Sequence, residues 1–85
     1  MTYYVYIIYS ASRDKYYKGY TTNLENRLRQ HNSGQTNSTK NGIPWIYKCF
    51  LEKETKKEAL ILERKLKNLN RSRLEDFIVK YKKIM

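Results

Sequence analysis

Tyrosine is the residue this chain distributes most unevenly. Seven of its nine tyrosines, at positions 3, 4, 6, 9, 16, 17 and 20, lie close together near the start of the sequence. A hydrophobic core is served as well by Val, Ile and Phe, so this concentration of hydroxyls raises a chemical question. A phenol can orient a water molecule and take its proton. With an unperturbed pKa of about 10, it does so only where nearby positive charge favours the phenolate. Arg27 and His31 follow, four residues apart. A guanidinium meets two phosphoryl oxygens at once in a fixed plane, which lysine cannot do. Further on stands Glu63. A lone carboxylate leaves most of the coordination sphere of Mg²⁺ to water and phosphate, the usual way that ion is held. Cys49 is the single cysteine, which excludes an intrachain disulfide and a cysteine-based zinc cluster. Its extended apolar surroundings read as a reduced, buried thiol rather than a nucleophile.

The elements that position these side chains follow from pattern. Residues 2–10, TYYVYIIYS, are aromatic and β-branched on both alternating faces, as in a strand covered on both sides at the centre of a small sheet. The polar stretch from Ser10 to Asp14 reads as a hairpin connection, and residues 15–21, KYYKGYT, resume strand character. So short a loop requires antiparallel pairing. Thr22 and Glu25 form a capping box opening a helix that runs to about Ser33 and stops at Gly34, with Leu24 and Leu28 as its apolar stripe and Arg27 and His31 on one flank. Residues 32–42 form a polar loop, and residues 45–51 a third strand. Thr55 with Glu58, and Ser72 with Glu75, are two further boxes. The first opens a helix to about Asn68 with a stripe of Ala59, Leu62, Leu66 and Leu69; the second opens a last helix burying Leu74, Phe77, Ile78 and Tyr81. The expected fold is therefore α+β: a three-stranded antiparallel sheet flanked by helices, in the order β-β-α-β-α-α. Glu63 and Arg27 both fall at the border of an apolar stripe. Convergence with Tyr6 and Tyr17 then requires both tyrosines on one face of the hairpin, which depends on strand register.

Eighty-five residues allow one domain, 1–85, with one modest core, and exclude a large multilayer enzyme. Eighteen Lys and Arg oppose eight Asp and Glu, giving a formal charge of +10 and a pI near 9.8. Such an excess concentrates polyanions, of which nucleic acid is the commonest for a soluble intracellular domain. No apolar run approaches the length of a bilayer span or of a signal peptide, so a reducing cytoplasmic setting is expected and a membrane is not.

Tyr-Val-Tyr at 4–6, Tyr-Lys-Gly at 17–19, Arg-x-x-x-His-Asn at 27–32 and Glu63 on a later helix together resemble the GIY-YIG nuclease superfamily. The likeness covers roughly residues 3 to 70, and residues 24–34, LENRLRQHNSG, are most similar to its small single-domain bacterial branch. The resemblance implies phosphodiester hydrolysis with one divalent ion, Mg²⁺ or Mn²⁺. By it, Glu63 matches the metal-binding carboxylate and Arg27 the phosphate-binding guanidinium. Tyr6 and Tyr17 match the signature tyrosines, and Gly19 the signature glycine that lets the strand approach the site. Lys18, Gly19, His31, Lys40, Arg64 and Lys67 are the expected contacts to nucleic acid, DNA before RNA, with Thr39 a weaker candidate. Lys18, Arg27, the metal and the net charge would favour a phenolate at Tyr6 or Tyr17. The pattern also departs from the family. Tyr4 stands where a glycine is usual, Lys18 replaces an apolar residue, and Tyr20 replaces a basic one. No appended DNA-binding domain is evident, so specificity is expected to be weak or supplied by a protein partner.

Plainer readings stand beside these. Glu63 also suits a helix-surface pair with Lys67, and Arg27 can cover apolar surface with its stem. His31 suits a helix C-terminus, where the dipole favours its charged form. Tyr3, Tyr9 and Tyr16 read as core tyrosines with satisfied hydroxyls. A metal-dependent endonuclease acting on DNA, in repair or recombination, is the leading expectation. The alternatives are a non-catalytic nucleic-acid-binding module on the same fold, and a small basic adaptor of a repair or ribosomal complex.

Overall fold

A computed structural model of the chain describes residues 1–82. It contains β1 (Tyr3–Ser10), β2 (Lys15–Thr21), α1 (Leu24–Asn32), a 3₁₀ turn (Lys40–Gly42), β3 (Trp45–Lys53), α2 (Lys56–Lys67) and α3 (Arg71–Tyr81). This is the expected α+β order. β1 lies at the centre of an antiparallel sheet ordered β2-β1-β3. That position explains its two apolar faces: Val5 and Ile7 look one way, Tyr6 and Ile8 the other, and all four are buried.

The two faces carry separate cores. Val5, Ile7 and Cys49 pack with Ala59 and Leu66 of α2 and Leu74 and Ile78 of α3. Tyr6, Ile8 and Trp45 pack with Tyr17, Tyr47, Phe50 and the Leu24–Leu28 stripe of α1. A bulge in β3 makes this division possible. Ile7 pairs with Cys49 but Ile8 pairs with Tyr47, leaving Lys48 as the extra residue. In an unbroken strand Tyr47 and Cys49 would share a face; the inserted residue lets Tyr47 and Phe50 join the α1 side while Cys49 enters the other.

The helix starts differ from the expectation at two of three boxes. Thr55 caps α2 as expected, its hydroxyl accepting from Glu58 N at 3.2 Å. For α1 the cap is Asn23, not Thr22: the Asn23 side chain accepts from Asn26 N at 2.9 Å. Thr21 takes up Asn23 N at 3.1 Å, fixing the entry. For α3 the cap is Asn70, accepting from Arg73 N at 2.9 Å, so Ser72 lies inside the helix. Asparagine caps as well as serine or threonine, and here the asparagine is the residue the incoming chain leaves extended. The end of α1 is as expected: Gly34, with φ of 81°, follows the cap, and Gln35 N returns to Gln30 O at 3.3 Å. Tyr81, expected in the core, lies at its rim, 38% exposed with its ring against Phe77.

Candidate active site

Tyr6 stands at the centre of the α1 face, 1% exposed. Its cross-strand partner on β2 is Gly19, and Tyr17 pairs with Ile8 two positions along. Positions 6 and 8 share a face, so Tyr6, Gly19 and Tyr17 do too, and the register condition is met. Gly19 has a specific reason to be glycine. A Cβ there would lie 2.6 Å from the Tyr6 hydroxyl and 2.8 Å from its Cζ, so the phenol extends across β2 through the space a side chain would fill.

The Tyr6 oxygen is held from two sides by residues one helical turn apart on α1. Arg27 Nε donates to it at 3.2 Å, and His31 Nε2 lies 2.8 Å away. Arg27 can only donate, so the oxygen accepts from it and its own proton is free to point at His31. His31 Nδ1 is 2.8 Å from Thr39 Oγ1, and that hydroxyl is 3.4 Å from the Thr36 carbonyl. One assignment satisfies every member: Arg27 to Tyr6, Tyr6 to His31, His31 to Thr39, Thr39 to the Thr36 carbonyl. It requires a neutral His31 protonated on Nδ1, and its environment enforces neutrality. Burial, and then the Arg27 charge, depress the His31 pKa to about 4.

Several expectations are corrected here. His31 is not a dipole-stabilised cation, and it is no surface contact: it is fully buried with both ring nitrogens engaged, so it can act on a bound strand only through Tyr6. Thr39, also buried, is a structural residue. Besides holding His31, its carbonyl accepts from Trp45 Nε1 at 2.7 Å. The Tyr6 pKa is raised, not lowered: burial outweighs the hydrogen bond and charge of Arg27. Tyr6 is therefore a neutral phenol at rest. Tyr9 and Tyr16 do have satisfied hydroxyls, donating to Asp14 at 2.6 Å and Glu75 at 3.0 Å; Tyr16, like Tyr3, packs against the aliphatic core, whereas Tyr9 does not.

Tyr17 is half-buried, with its ring edge-on to His31 at 5.2 Å and to Trp45 at 6.4 Å. Arg27 Nη1 donates to Gln30 Oε1 at 2.9 Å, which steers the guanidinium along the helix. Glu63 arrives from elsewhere. Its helix, α2, packs on the other face of the sheet, against the aliphatic core. The negative charge of Glu63 adds only the smallest of the effects that raise the Tyr6 pKa. The phenol crosses β2 over Gly19, whereas the carboxylate belongs to the helix on the opposite face of the sheet. Glu63 also makes the plainer contact, 3.6 Å from Lys67, with its side chain 16% exposed. Lys18 faces this α2 side, pairing with Ile7; burial and then the charge of Lys67 lower its pKa. Lys40 and Arg64 are exposed.

Two contributors were not among the site residues expected from the sequence. Tyr47 donates its hydroxyl to the Leu24 carbonyl and sets its ring edge-on to Tyr6 at 5.7 Å, propping the phenol from β3. Burial drives its pKa well above the ordinary phenol value. Asn32 clamps the end of α1 to the start of β3, accepting from Trp45 N at 2.6 Å and donating to Trp45 O at 3.1 Å. Its place in the Arg-x-x-x-His-Asn motif was the available clue.

As a donor for a divalent ion, Glu63 offers one hard carboxylate. No group of three or more His, Cys, Asp or Glu able to hold a metal occurs among the described residues. That fits an ion such as Mg²⁺ or Mn²⁺ held mainly by water and phosphate, and does not fit a structural zinc site closed by protein ligands. Among those residues, no helix is long and apolar enough to cross a membrane.

Comparison with known proteins agrees with the fold. The family model for the GIY-YIG catalytic domain matches residues 2–76. A UPF0213 protein of Bacillus cereus is 33% identical over 76 residues, covering 88% of this chain and 79% of the relative. A UPF0213 protein of Halobacterium salinarum is 33% identical over 72 residues, covering 84% and 92%. The solution NMR structure of a UPF0213 protein from Bacillus halodurans superposes with a TM-score of 0.60 at 30% identity, covering 93% of this chain and 84% of the other.

Proposed function

Since the chain belongs to the GIY-YIG catalytic domain family, a nuclease-type family whose nucleases generally depend on a divalent metal, we propose that it is an endonuclease that hydrolyses DNA phosphodiester bonds with Mg²⁺ or Mn²⁺. One observation carries the reading: the Tyr6 oxygen, set across β2 over Gly19, bonds Arg27 at 3.2 Å and His31 at 2.8 Å. β1 and α1 thus place a phenol, a guanidinium and an imidazole at one oxygen.

Glu63 would hold the ion, exchanging its Lys67 contact for it. When bound, the ion supplies charge neutralisation at the phosphoryl and leaving oxygens. The chain's own groups do the rest. Arg27 turns from Tyr6 to the phosphate, where its planar fork fixes the reacting group. That frees a lone pair on the Tyr6 oxygen for the attacking water, with Tyr17 flanking it from the same sheet face. As the water oxygen bonds to phosphorus, its proton passes to Tyr6 while the Tyr6 proton moves to His31 Nε2. The P–O bond to the leaving strand breaks. Burial makes the resulting imidazolium unstable, so it returns its proton through Tyr6 to the departing oxygen. Lys18 and Lys67 at the edge strand, with exposed Arg64 and Lys40, supply the attraction for the backbone. A role in repair or recombination, a cytoplasmic setting and a protein partner that confers specificity are parts of the same proposal.

The test is cleavage of supercoiled, branched and single-stranded DNA with and without Mg²⁺ or Mn²⁺, comparing wild type with Glu63→Gln. Metal-dependent nicking that Glu63→Gln abolishes is the expected result. Salt-sensitive binding with no cleavage under any condition would replace the enzyme with a binding module on the same fold, one in which the Glu63–Lys67 pair is the working state.

A further inference from the structure

A second recess lies on the same sheet face as Tyr6, at the far side of Tyr17. It is a cleft of about 320 Å³ between the β1–β2 hairpin tip and the loop that precedes β3, lined by Arg13, Lys15, Tyr17, Ser38, Asn41 and Trp45 among others. Its walls are built. Arg13 Nε donates to the Asn41 carbonyl at 3.1 Å, joining tip to loop. Gly42 lies so close to the indole that a Cβ would fall 2.5 Å from Trp45 Cζ2. Trp45 is fixed from behind by Thr39 and Asn32.

The lining states what the cleft would take. Two cations face it, and no carboxylate is among the described residues that line it. Asp14, the nearest acid in sequence, is engaged by Tyr9 and Arg71 instead. Arg13 commits one N–H to Asn41, and a guanidinium has five. Tyr17 and Trp45 offer aromatic surface, and Ser38 and Asn41 offer side-chain donors and acceptors. An anion with a flat ring and polar edges matches this set. The volume is at the low end of the roughly 300–1,000 Å³ of small-molecule sites, enough for one nucleotide and too narrow for a base pair within a duplex. Tyr17 is the shared wall, since its ring lies against both His31 and Trp45.

Resting on the nuclease reading, we infer that this cleft holds one unpaired nucleotide adjoining the scissile phosphate, its phosphate on Arg13 and Lys15 and its base against Tyr17. The substrate is therefore a strand that is single at that position, as in a flap, a branch or a free single strand, rather than uninterrupted duplex. Selection by strand geometry would then arise inside the domain, leaving a partner to choose among sites of that geometry.

Trp45 is the only tryptophan in the chain and lines the cleft, so it reports binding without turnover. The probe is the dinucleotide pdTpdT, titrated without metal against wild type, Glu63→Gln, the Arg13→Ala/Lys15→Ala double variant and Lys15→Glu. Lys15→Glu leaves the Arg13–Asn41 bridge intact, so it answers for any misfolding of the double variant. A change in Trp45 emission with equal affinity in wild type and Glu63→Gln is expected, about tenfold weaker in both cleft variants. Flap and single-stranded DNA should then be cut at least about tenfold faster than blunt duplex. An emission unmoved by pdTpdT, or a titration unaltered by Lys15→Glu, overturns the inference. If pdTpdT binds as described but no DNA is cleaved, the cleft stands and the nuclease reading falls. If flap and duplex are cut alike in wild type and Lys15→Glu, the nuclease reading stands and the cleft falls.

Discussion

The two faces of the sheet are made from the same strands, yet they solve different problems. Against α2 and α3, β1 presents Val5 and Ile7 to Cys49, Ala59, Leu66, Leu74 and Ile78, a layer almost free of polar atoms. Burial there pushes the Cys49 thiol up to about pKa 11, leaving it inert. Against α1, the next residues along the strand build a hydrogen-bonded chain in which an arginine, a phenol, an imidazole and a hydroxyl are all engaged. On the proposed reading, this small domain keeps the layer that stabilises it and the groups that would do chemistry on opposite sides of one sheet. Glu63, to which the proposed reaction assigns the ion, belongs to a helix of the dry side.

Substitutions on the two faces should therefore separate stability from activity. The largest stability loss is expected at Leu66→Ala, fully buried on the dry face. Truncation there should remove about 2–5 kcal/mol in a denaturant titration, while the folded fraction keeps its rate of cleavage. A variant that lost activity per folded molecule would break the division.

Tyr6→Phe should do the reverse. Cleavage should fall by about 100-fold or more, with stability reduced only by about 1–3 kcal/mol because His31 Nε2 loses its partner. Gly19→Ala sharpens the same point without deleting a functional group. The added carbon would meet the Tyr6 oxygen at 2.6 Å, so activity should drop with the phenol displaced. Wild-type turnover in Gly19→Ala would mean that the position of Tyr6 is not limiting.

The pH dependence of stability tests the wet face alone. His31 has a folded pKa near 4, below its ordinary 6.5, so the folded state binds a proton less readily than the unfolded chain does. Its contribution is complete above about pH 6.5 and is lost as pH falls towards 4. At pH 5, about 1.5 units below the ordinary value, the loss is about 2 kcal/mol. Thermal melts of wild type against His31→Gln between pH 7 and 4.5 should show this component in the first and not in the second. The smallest effect should come from Arg71→Ala. Its contact with Asp14, at 2.6 Å, is solvent-exposed at the hairpin tip, away from both faces, and the denaturation midpoint should scarcely move.

What was legible in the sequence was whatever depends on local period and composition. The alternating pattern of residues 2–10 identified the central strand because a strand buried on both faces must be apolar at every position. The stripes at Leu24 and Leu28, and from Ala59 to Leu69, located the helices and the cores they enter. Tyr6, Tyr17, Arg27 and Glu63 could be chosen because their order along the chain matched a family pattern. The capping residues were less legible. Thr22 and Asn23 are adjacent and both can cap, and the approach of the incoming strand chose between them.

The sequence by itself determined which residues belong to strands and helices, and which side chains are able to bind phosphate, donate a proton or hold a hard cation. Only the folded chain decided their charge states and company. His31 is neutral because Tyr6, Thr39 and the packed α1 face exclude water from it, and no local pattern carries that information. Tyr6 reaches the edge strand because Gly19, thirteen residues on, pairs opposite it. Protonation and contact depend on desolvation and on partners distant along the chain, and these exist only after the sheet has closed on its helices.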